Sequence, residues 1–239
     1  MNIFMLSNGK LPTSKVMLEY ALPEIKGCFS QEKVKNVVVI PYAVIRLTYD
    51  DRVNSIKESL EGMDLDIRGI HEFDDPVLAI EWADAIMVSG GNTWKLNKCL
   101  HDFGLVEPIR NAVLKQDKIY VGWSAGSVIC APNMCTTNDM CIVEAAITPS
   151  LNFVPFHINP HYIDAVIENH MGETRDERIQ EFCIDNPHKG VMGIREGSWL
   201  HLGDNGLSYH CPTAKSFVWF QFGKDKRTFA ADTDMSIFM

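Results

Sequence analysis

Ser124 stands in the segment GWSAG, directly after the apolar run 118–122. The pattern G-x-S-x-G is typical of a nucleophile elbow when a buried strand precedes it and a helix follows. A tight turn then holds the serine in a strained conformation, small neighbours let strand and helix pack closely, and the helix N-terminus offers N–H groups to an oxyanion. We therefore interpret Ser124 as the nucleophile of a serine hydrolase. The alternative is a plain helix cap, because serine is a favoured N-cap residue.

A second corner, SGGNT at 89–93, follows the apolar run 85–89. Its glycines allow backbone N–H groups to approach a ligand closely. The G-x-G-x-x-G spacing and the lysine of a phosphate-binding loop are both absent, which disfavours a phosphate site. We expect the N–H of Gly91, paired with that of Ala125, to form an oxyanion hole. An ordinary strand-to-helix turn is the other interpretation.

A serine hydroxyl needs a general base, because it is a weak nucleophile alone. His161 is the favoured candidate among eight histidines, since it follows a rigid proline in the apolar segment INPHY. His157 competes with it. A carboxylate is then expected to orient the histidine. Asp139, in TTND, and Glu196, in REG, are the candidates, and the sequence does not choose between them.

The elements that carry these residues alternate between strand and helix in the first half of the chain. Near-continuous apolar strands of this kind indicate a parallel α/β sheet covered on both faces. Strands are expected at 2–6, 36–40, 65–70, 85–89 and 118–122, and helices at 15–25, 51–60, 76–82, 94–100, 106–114 and 125–131. After a stretch of loops and short strands at 132–160 come a helix at 173–183 and antiparallel strands at 191–194, 198–202, 207–209 and 216–220. No linker divides the chain, so residues 1–239 are expected to form a single domain.

The composition excludes several classes of function. A net charge of −9 disfavours nucleic acid as a partner, and an acidic substrate would need a local cation. No apolar run is long enough to span a membrane, and the first residues lack the features of a signal peptide. Seven cysteines without a C-x-x-C pair favour reduced thiols in a cytoplasmic protein over disulfides or zinc.

Taken together, the motifs resemble those of the peptidase E family of serine peptidases, the α-aspartyl dipeptidases. The resemblance spans nearly the whole chain and rests on these segments in order: LSNGKLP, SGGNTWKL, GWSAGS, TTNDM, INPHY, GETRDERI and REGSW. It implies an α/β three-layer sandwich with a mostly parallel sheet, similar to flavodoxin or to class I glutamine amidotransferases. It also implies Ser124 as nucleophile, His161 as base, Asp139 or Glu196 as third member, and the amides of Gly91 and Ala125 as oxyanion donors.

The same resemblance implies hydrolysis of dipeptides that begin with aspartate. In GETRDERI the matching substrate-reading residue is Arg175, whose guanidinium can hold a carboxylate through two parallel hydrogen bonds. Without the family, Arg175 would be interpreted as a solvated helix charge paired with Glu173, Asp176 or Glu177. No metal or organic cofactor is expected, and the protein is expected to be a monomer or homodimer. The alternatives are a cyanophycinase-like hydrolase of β-aspartyl peptides and, from another class, a non-catalytic binding module that keeps the elbow.

Overall fold

A computed structural model describes residues 1–164 and 171–239. In chain order, the strands are β1 (Ile3–Leu6), β2 (Asn36–Ile40), β3 (Asp66–Gly69), β4 (Ala85–Val88), β5 (Ile119–Trp123), β6 (His157–Asn159), β7 (Gly190–Gly193), β8 (Trp199–Gly203), β9 (Gly206–His210), β10 (Phe217–Gln221) and β11 (Lys224–Phe229). The α-helices are α1 (Leu22–Gln31), α2 (Tyr49–Ser59), α3 (Pro76–Trp82), α4 (Thr93–Asp102), α5 (Val106–Lys115), α6 (Ala125–Val128) and α7 (Arg175–Asp185).

The strands of the described residues form two sheets. The larger has the order β3-β2-β4-β5-β1-β8-β9, in which β1 to β5 pair in parallel while β8 and β9 are antiparallel. The smaller has the order β11-β10-β7-β6, with β6 parallel to β7 and the other pairs antiparallel. Strands β5, β6 and β7 each run directly into a segment that carries a candidate site residue.

Alternate residues of the strands in the larger sheet point to opposite faces, and both faces are apolar. Other elements of the chain cover each of them. On one side, Val37 and Val39 pack in a core with side chains of α1 and α2. On the other side, Val38 and Ile40 share a core with α3, α4, α5 and residues of the smaller sheet. The expected three-layer α/β sandwich with a mostly parallel sheet is therefore confirmed.

The first helix lies later in the chain than the sequence pattern predicts. A short 3₁₀ helix covers Glu19–Ala21, and the α-helix begins only at Leu22. Pro23 stands in the first turn of α1, where its missing N–H costs nothing. Apolar spacing alone placed the start at residue 15, so that boundary was wrong.

The last residues pack on the chain itself. A 3₁₀ helix at Met235–Phe238 buries Met235 and Phe238 in the core shared by the smaller sheet. None of the helices in the described ranges 1–164 and 171–239 combines the length and apolar character that crossing a membrane requires.

Candidate active site

Ser124 connects β5 to α6 through a strained turn. Its backbone has φ 52° and ψ −110°, a conformation that residues other than glycine rarely adopt. It occupies the N-cap position of α6, yet its side chain makes no capping hydrogen bond. The hydroxyl oxygen lies instead 2.9 Å from Nε2 of His161. The geometry therefore matches a nucleophile elbow rather than a helix cap.

The glycines on either side of Ser124 are sterically required. A Cβ atom at Gly122 would lie 2.4 Å from the carbonyl oxygen of Gly126, and one at Gly126 would lie 2.3 Å from that of Val88. Both distances are far below a van der Waals contact, and both neighbours are backbone atoms that cannot rotate away. The close packing of strand and helix in this corner thus depends on the two glycines.

His161 is held between Ser124 and Glu196. Its Nδ1 lies 2.7 Å from Oε1 of Glu196, while its Nε2 faces the serine hydroxyl. Because a carboxylate can only accept, the ring proton resides on Nδ1 and leaves Nε2 free to accept from Ser124. The His161 backbone also has a positive φ of 55°, and its N–H donates to Oγ of Ser7 at 2.9 Å.

The three side chains come from both sheets. Ser124 follows β5 of the larger sheet, whereas His161 follows β6 and Glu196 follows β7 of the smaller one. The imidazole and the carboxylate are 38% and 45% exposed, so substrate and water can reach them. The candidate site therefore lies at the seam between the two sheets.

Asn8 fixes the turn that presents Glu196, a role that the sequence analysis did not assign. Its Oδ1 accepts from the N–H of Gly197 at 2.9 Å, and its carbonyl accepts from the hydroxyl of Tyr20 at 2.6 Å. Gly197 has φ 84°, which favours glycine. Asn8 belongs to LSNGKLP, one of the segments that carry the family resemblance, so this motif contains the signal for its role.

Asp139 makes no hydrogen bond to His161 in the described part of the chain. Its Oδ2 accepts from the backbone N–H and the hydroxyl of Thr93, at 2.7 and 2.6 Å, and from the hydroxyl of Thr137 at 3.1 Å. Asp139 therefore attaches its loop to the start of α4. The competing histidine, His157, is fully buried, and burial lowers its pKa to about 4. Its Nε2 lies 3.1 Å from Oδ1 of Asn133, so it is placed in the core and not beside the serine.

The glycine corner between β4 and α4 lies against Ser124. A Cβ atom at Gly90 would be 2.9 Å from Cβ of Ser124, and one at Gly91 would be 2.2 Å from the carbonyl oxygen of Ala43. Gly91 also has φ 145°. Among the hydrogen bonds formed within the described residues, none uses the backbone N–H of Gly91 or of Ala125. Two amides at this corner are thus available to an acceptor on a ligand.

Arg175 is the first residue of α7, which Thr174 and Glu177 cap reciprocally. Its Nη1 donates to the carbonyl oxygens of His161 at 2.8 Å and Pro160 at 3.3 Å. No ion pair joins Arg175 to a carboxylate within the part of the chain that is described, so it is not the surface pair considered above. Burial lowers the pKa of its guanidinium.

A cavity of about 360 Å³ opens beside this arginine. Asp139 and Asn159 line it together with Arg175 and, one helical turn further along α7, Arg178. The lining carries two guanidinium groups against one carboxylate, an excess of positive charge in a protein whose net charge is −9. The cavity is therefore suited to an anionic group.

A charged network lies behind the site. The buried hydroxyl of Tyr162 donates to Asp176, and Nζ of Lys226 lies 2.6 Å from the other oxygen of that carboxylate. Lys226 and Arg195 both pair with Asp164. Tyr162, Arg195 and Asp176 are each adjacent in sequence to His161, Glu196 or Arg175. The network thus ties together the three backbone segments that carry these residues.

The fold and this geometry define an α/β sandwich with a Ser–His–Glu array at the seam of its sheets. Peptidase family S51 matches residues 3–209, and the chain belongs to that family. It is 39% identical to Peptidase E of Nostoc sp. over 212 residues, which cover 89% of this chain and 86% of that protein. It is also 39% identical to Peptidase E of Salmonella gallinarum over 226 residues, 94% of each chain.

Two solved structures share the fold. A Listeria monocytogenes EGD-e protein assigned to peptidase E superposes with a TM-score of 0.63 at 22% identity, covering 88% of this chain and 98% of that one. A peptidase from an acI-B1 actinobacterium gives a TM-score of 0.69 at 15% identity, covering 97% and 95%. The chain is therefore a peptidase whose family and fold both match the resemblance seen in the sequence.

Proposed function

We propose that the protein is a serine-type dipeptidase that hydrolyses peptides with an N-terminal aspartate. The observation that carries the proposal is the array in which Ser124, His161 and Glu196 are joined by contacts of 2.9 and 2.7 Å. A nucleophile bonded to a base, and a base bonded to an orienting carboxylate, is the arrangement that acyl transfer through serine requires. Seven free cysteines are consistent with a cytoplasmic location.

In the proposed reaction, His161 accepts the Ser124 proton at Nε2 while Oγ attacks the carbonyl carbon of the N-terminal aspartate. The N–H groups of Gly91 and Ala125 stabilise the oxyanion of the tetrahedral intermediate. His161 then gives its proton to the leaving amine, and water hydrolyses the acyl-enzyme. We assign the orienting role to Glu196, because it holds Nδ1 of the imidazole and Asp139 does not.

Arg175 supports the preference for aspartate. Its Nη1 donates to the backbone carbonyl oxygens of His161 and Pro160, which fix the side chain, and Arg175 also lines the cavity of about 360 Å³. A carboxylate stabilises a partly buried guanidinium, which has lost some of its hydration, more than it stabilises an exposed guanidinium. In the proposed complex, the side-chain carboxylate of the aspartate binds Arg175 and the scissile carbonyl binds at Ser124.

Hydrolysis of X-Leu dipeptides with Asp, Glu, Asn or Leu as X tests this function. We expect Asp-Leu to be cleaved with the highest kcat/KM, and Ser124→Ala to abolish cleavage without changing the circular dichroism spectrum. Ser14→Ala, which alters a serine in an N-terminal loop, is the control. Equal cleavage of Leu-Leu and Asp-Leu would contradict the specificity, and activity in Ser124→Ala would contradict the mechanism.

The role of Arg175 is tested with Arg175→Met, which keeps a long side chain and removes the charge. We expect kcat/KM for Asp-Leu to fall by about 10²-fold or more, the scale of a lost charge-assisted pair. The control is Arg68→Met, on the edge strand β3, whose guanidinium pairs with Asp66 and does not line this cavity. The preference for Asp-Leu over Asn-Leu should shrink only in the Arg175 variant. An unchanged preference would remove Arg175 from the proposal.

A further inference from the structure

The cavity beside Arg175 carries charges of both signs. Two arginines line it, and among the described residues of its lining Asp139 is the only carboxylate. An N-terminal aspartate also carries both signs, a side-chain carboxylate and an α-ammonium group. Arg175 accounts for the first of these charges under the function proposed above. The second needs an acceptor close by, because a buried ammonium without a partner is costly.

The carboxylate of Asp139 is only partly used by the protein. All three of its side-chain hydrogen bonds go to Oδ2, from the N–H and hydroxyl of Thr93 and from the hydroxyl of Thr137. Oδ1 takes part in none of the hydrogen bonds found within residues 1–164 and 171–239. The carboxylate is therefore held in place by one oxygen and keeps an acceptor on the other.

The position of Asp139 also fits the covalent geometry of a substrate. The α-nitrogen of an N-terminal residue is two bonds from the scissile carbonyl carbon, so its acceptor must lie beside the oxyanion corner. Asp139 accepts a hydrogen bond from the backbone N–H of Thr93, which lies two residues after Gly91 in that corner. It also lines the cavity of Arg175. Asp139 is thus joined through Thr93 to the start of the helix that follows the Gly91 corner, and it shares a cavity with the cation proposed for the side chain.

We propose that Asp139 binds the α-ammonium group of the N-terminal aspartate and thereby restricts the enzyme to substrates with a free amino terminus. This inference rests on the proposed function. It gives Asp139 a role in recognition, separate from the orientation of His161 by Glu196. Arg175 and Asp139 together then match the two charges of the residue whose peptide bond is cleaved.

The first arm of the test compares Asp-Leu with succinyl-Leu, the same molecule without its amino group. In the wild type, we expect succinyl-Leu to bind about 10- to 100-fold more weakly, as measured by its inhibition constant against Asp-Leu hydrolysis and compared with the KM for Asp-Leu. Equal binding of the two compounds would overturn the proposal without any variant.

The second arm repeats both measurements with Asp139→Asn, which keeps an oxygen for the N–H of Thr93. We expect Asp-Leu to lose about 10- to 100-fold in kcat/KM, and the inhibition constant of succinyl-Leu to stay within about twofold of the wild type. Asp139→Glu, a second variant, should recover part of the preference for the free amine. Asp102→Asn removes a charge at the other end of α4 and should change neither value.

The outcomes separate recognition from other roles. Equal losses for both compounds in Asp139→Asn would show a structural or catalytic role and overturn the proposal, and so would no loss for either. Failure of the wild type to hydrolyse Asp-Leu is a different result, because it would contradict the proposed function itself and this inference with it.

Discussion

Glu196 acts on Ser124 only through His161, so its removal should change the rate of the chemical step rather than the binding of substrate. In Glu196→Gln the amide can present its NH₂ group to Nδ1 and stabilise the wrong tautomer of the imidazole. We expect kcat for Asp-Leu to fall by about 10²- to 10⁴-fold with KM little changed. Steady-state kinetics of Glu196→Gln and Asp139→Asn, measured together, distinguish the two carboxylates.

Two opposite patterns would decide between these carboxylates. Loss of kcat in Asp139→Asn, with Glu196→Gln active, would exchange the roles assigned here. A large loss of kcat in Glu196→Gln, with the loss in Asp139→Asn mainly in KM, would support them.

Ser124, His161 and Glu196 are all candidates from the sequence, but spacing could not choose Glu196 over Asp139. Glu196 and Asp139 both stand in polar turns, and 35 residues separate Glu196 from the histidine that it contacts. That contact depends on the parallel pairing of β6 and β7, which no local pattern encodes. Asn8 and Ser7 were missed for the same reason, since their partners lie 189 and 187 residues away.

The turn between β5 and α6 places Ser124 only if the backbone of α6 can approach β4. Gly126→Ala would put a Cβ atom 2.3 Å from the carbonyl oxygen of Val88, so a backbone segment must move. We expect the free energy of unfolding to fall by about 1–3 kcal/mol or more, with a large loss of activity. Urea unfolding and Asp-Leu hydrolysis measure the two effects.

The matched control is Gly27→Ala, in the middle of α1, where no atom lies within 4 Å of the new Cβ. We expect that variant to gain about 0.5–1 kcal/mol, because alanine favours a helix more than glycine does. A stable and fully active Gly126→Ala variant would show that the elbow does not need this close packing.

Elements with strong local signals were predicted well, and those that depend on distant partners were not. The β-branched run of β2 and the proline that opens α3 marked both elements clearly. Strand β11 is polar and largely exposed, so hydropathy gave no indication of it. The smaller sheet forms because β7 pairs with both β6 and β10. The sequence predicted antiparallel strands in this region but not that some of them form a second sheet.

Acid should destabilise the whole molecule through His157, which is buried, and His201, which is half-buried, because both are neutral in the folded state. Burial lowers the pKa of both His157 and His201 to about 4, below the ordinary value near 6.5. Between these values the unfolded chain binds more protons than the folded one. Stability is therefore complete above about pH 6.5 and decreases as the pH falls towards 4, by up to about 1.4 kcal/mol per pH unit for a fully buried histidine.

Urea unfolding between pH 7.5 and 4.5 measures this dependence. The slope should be smaller in His157→Gln, whereas His188→Gln, which removes an exposed imidazole, should leave it unchanged. Equal slopes in the wild type and His157→Gln would contradict the assignment of acid sensitivity to that residue.

The position of β1 in the larger sheet determines when this strand can acquire both of its partners during synthesis. Its neighbours are β5 and β8, so this strand acquires its second partner only after residue 203 has been made. Until then, Ile3–Leu6 carries a free edge of fully apolar residues. Such edges pair readily with other chains. A fragment released before β8 is made should therefore aggregate, and a chaperone that shields β1 should raise the yield of the folded peptidase.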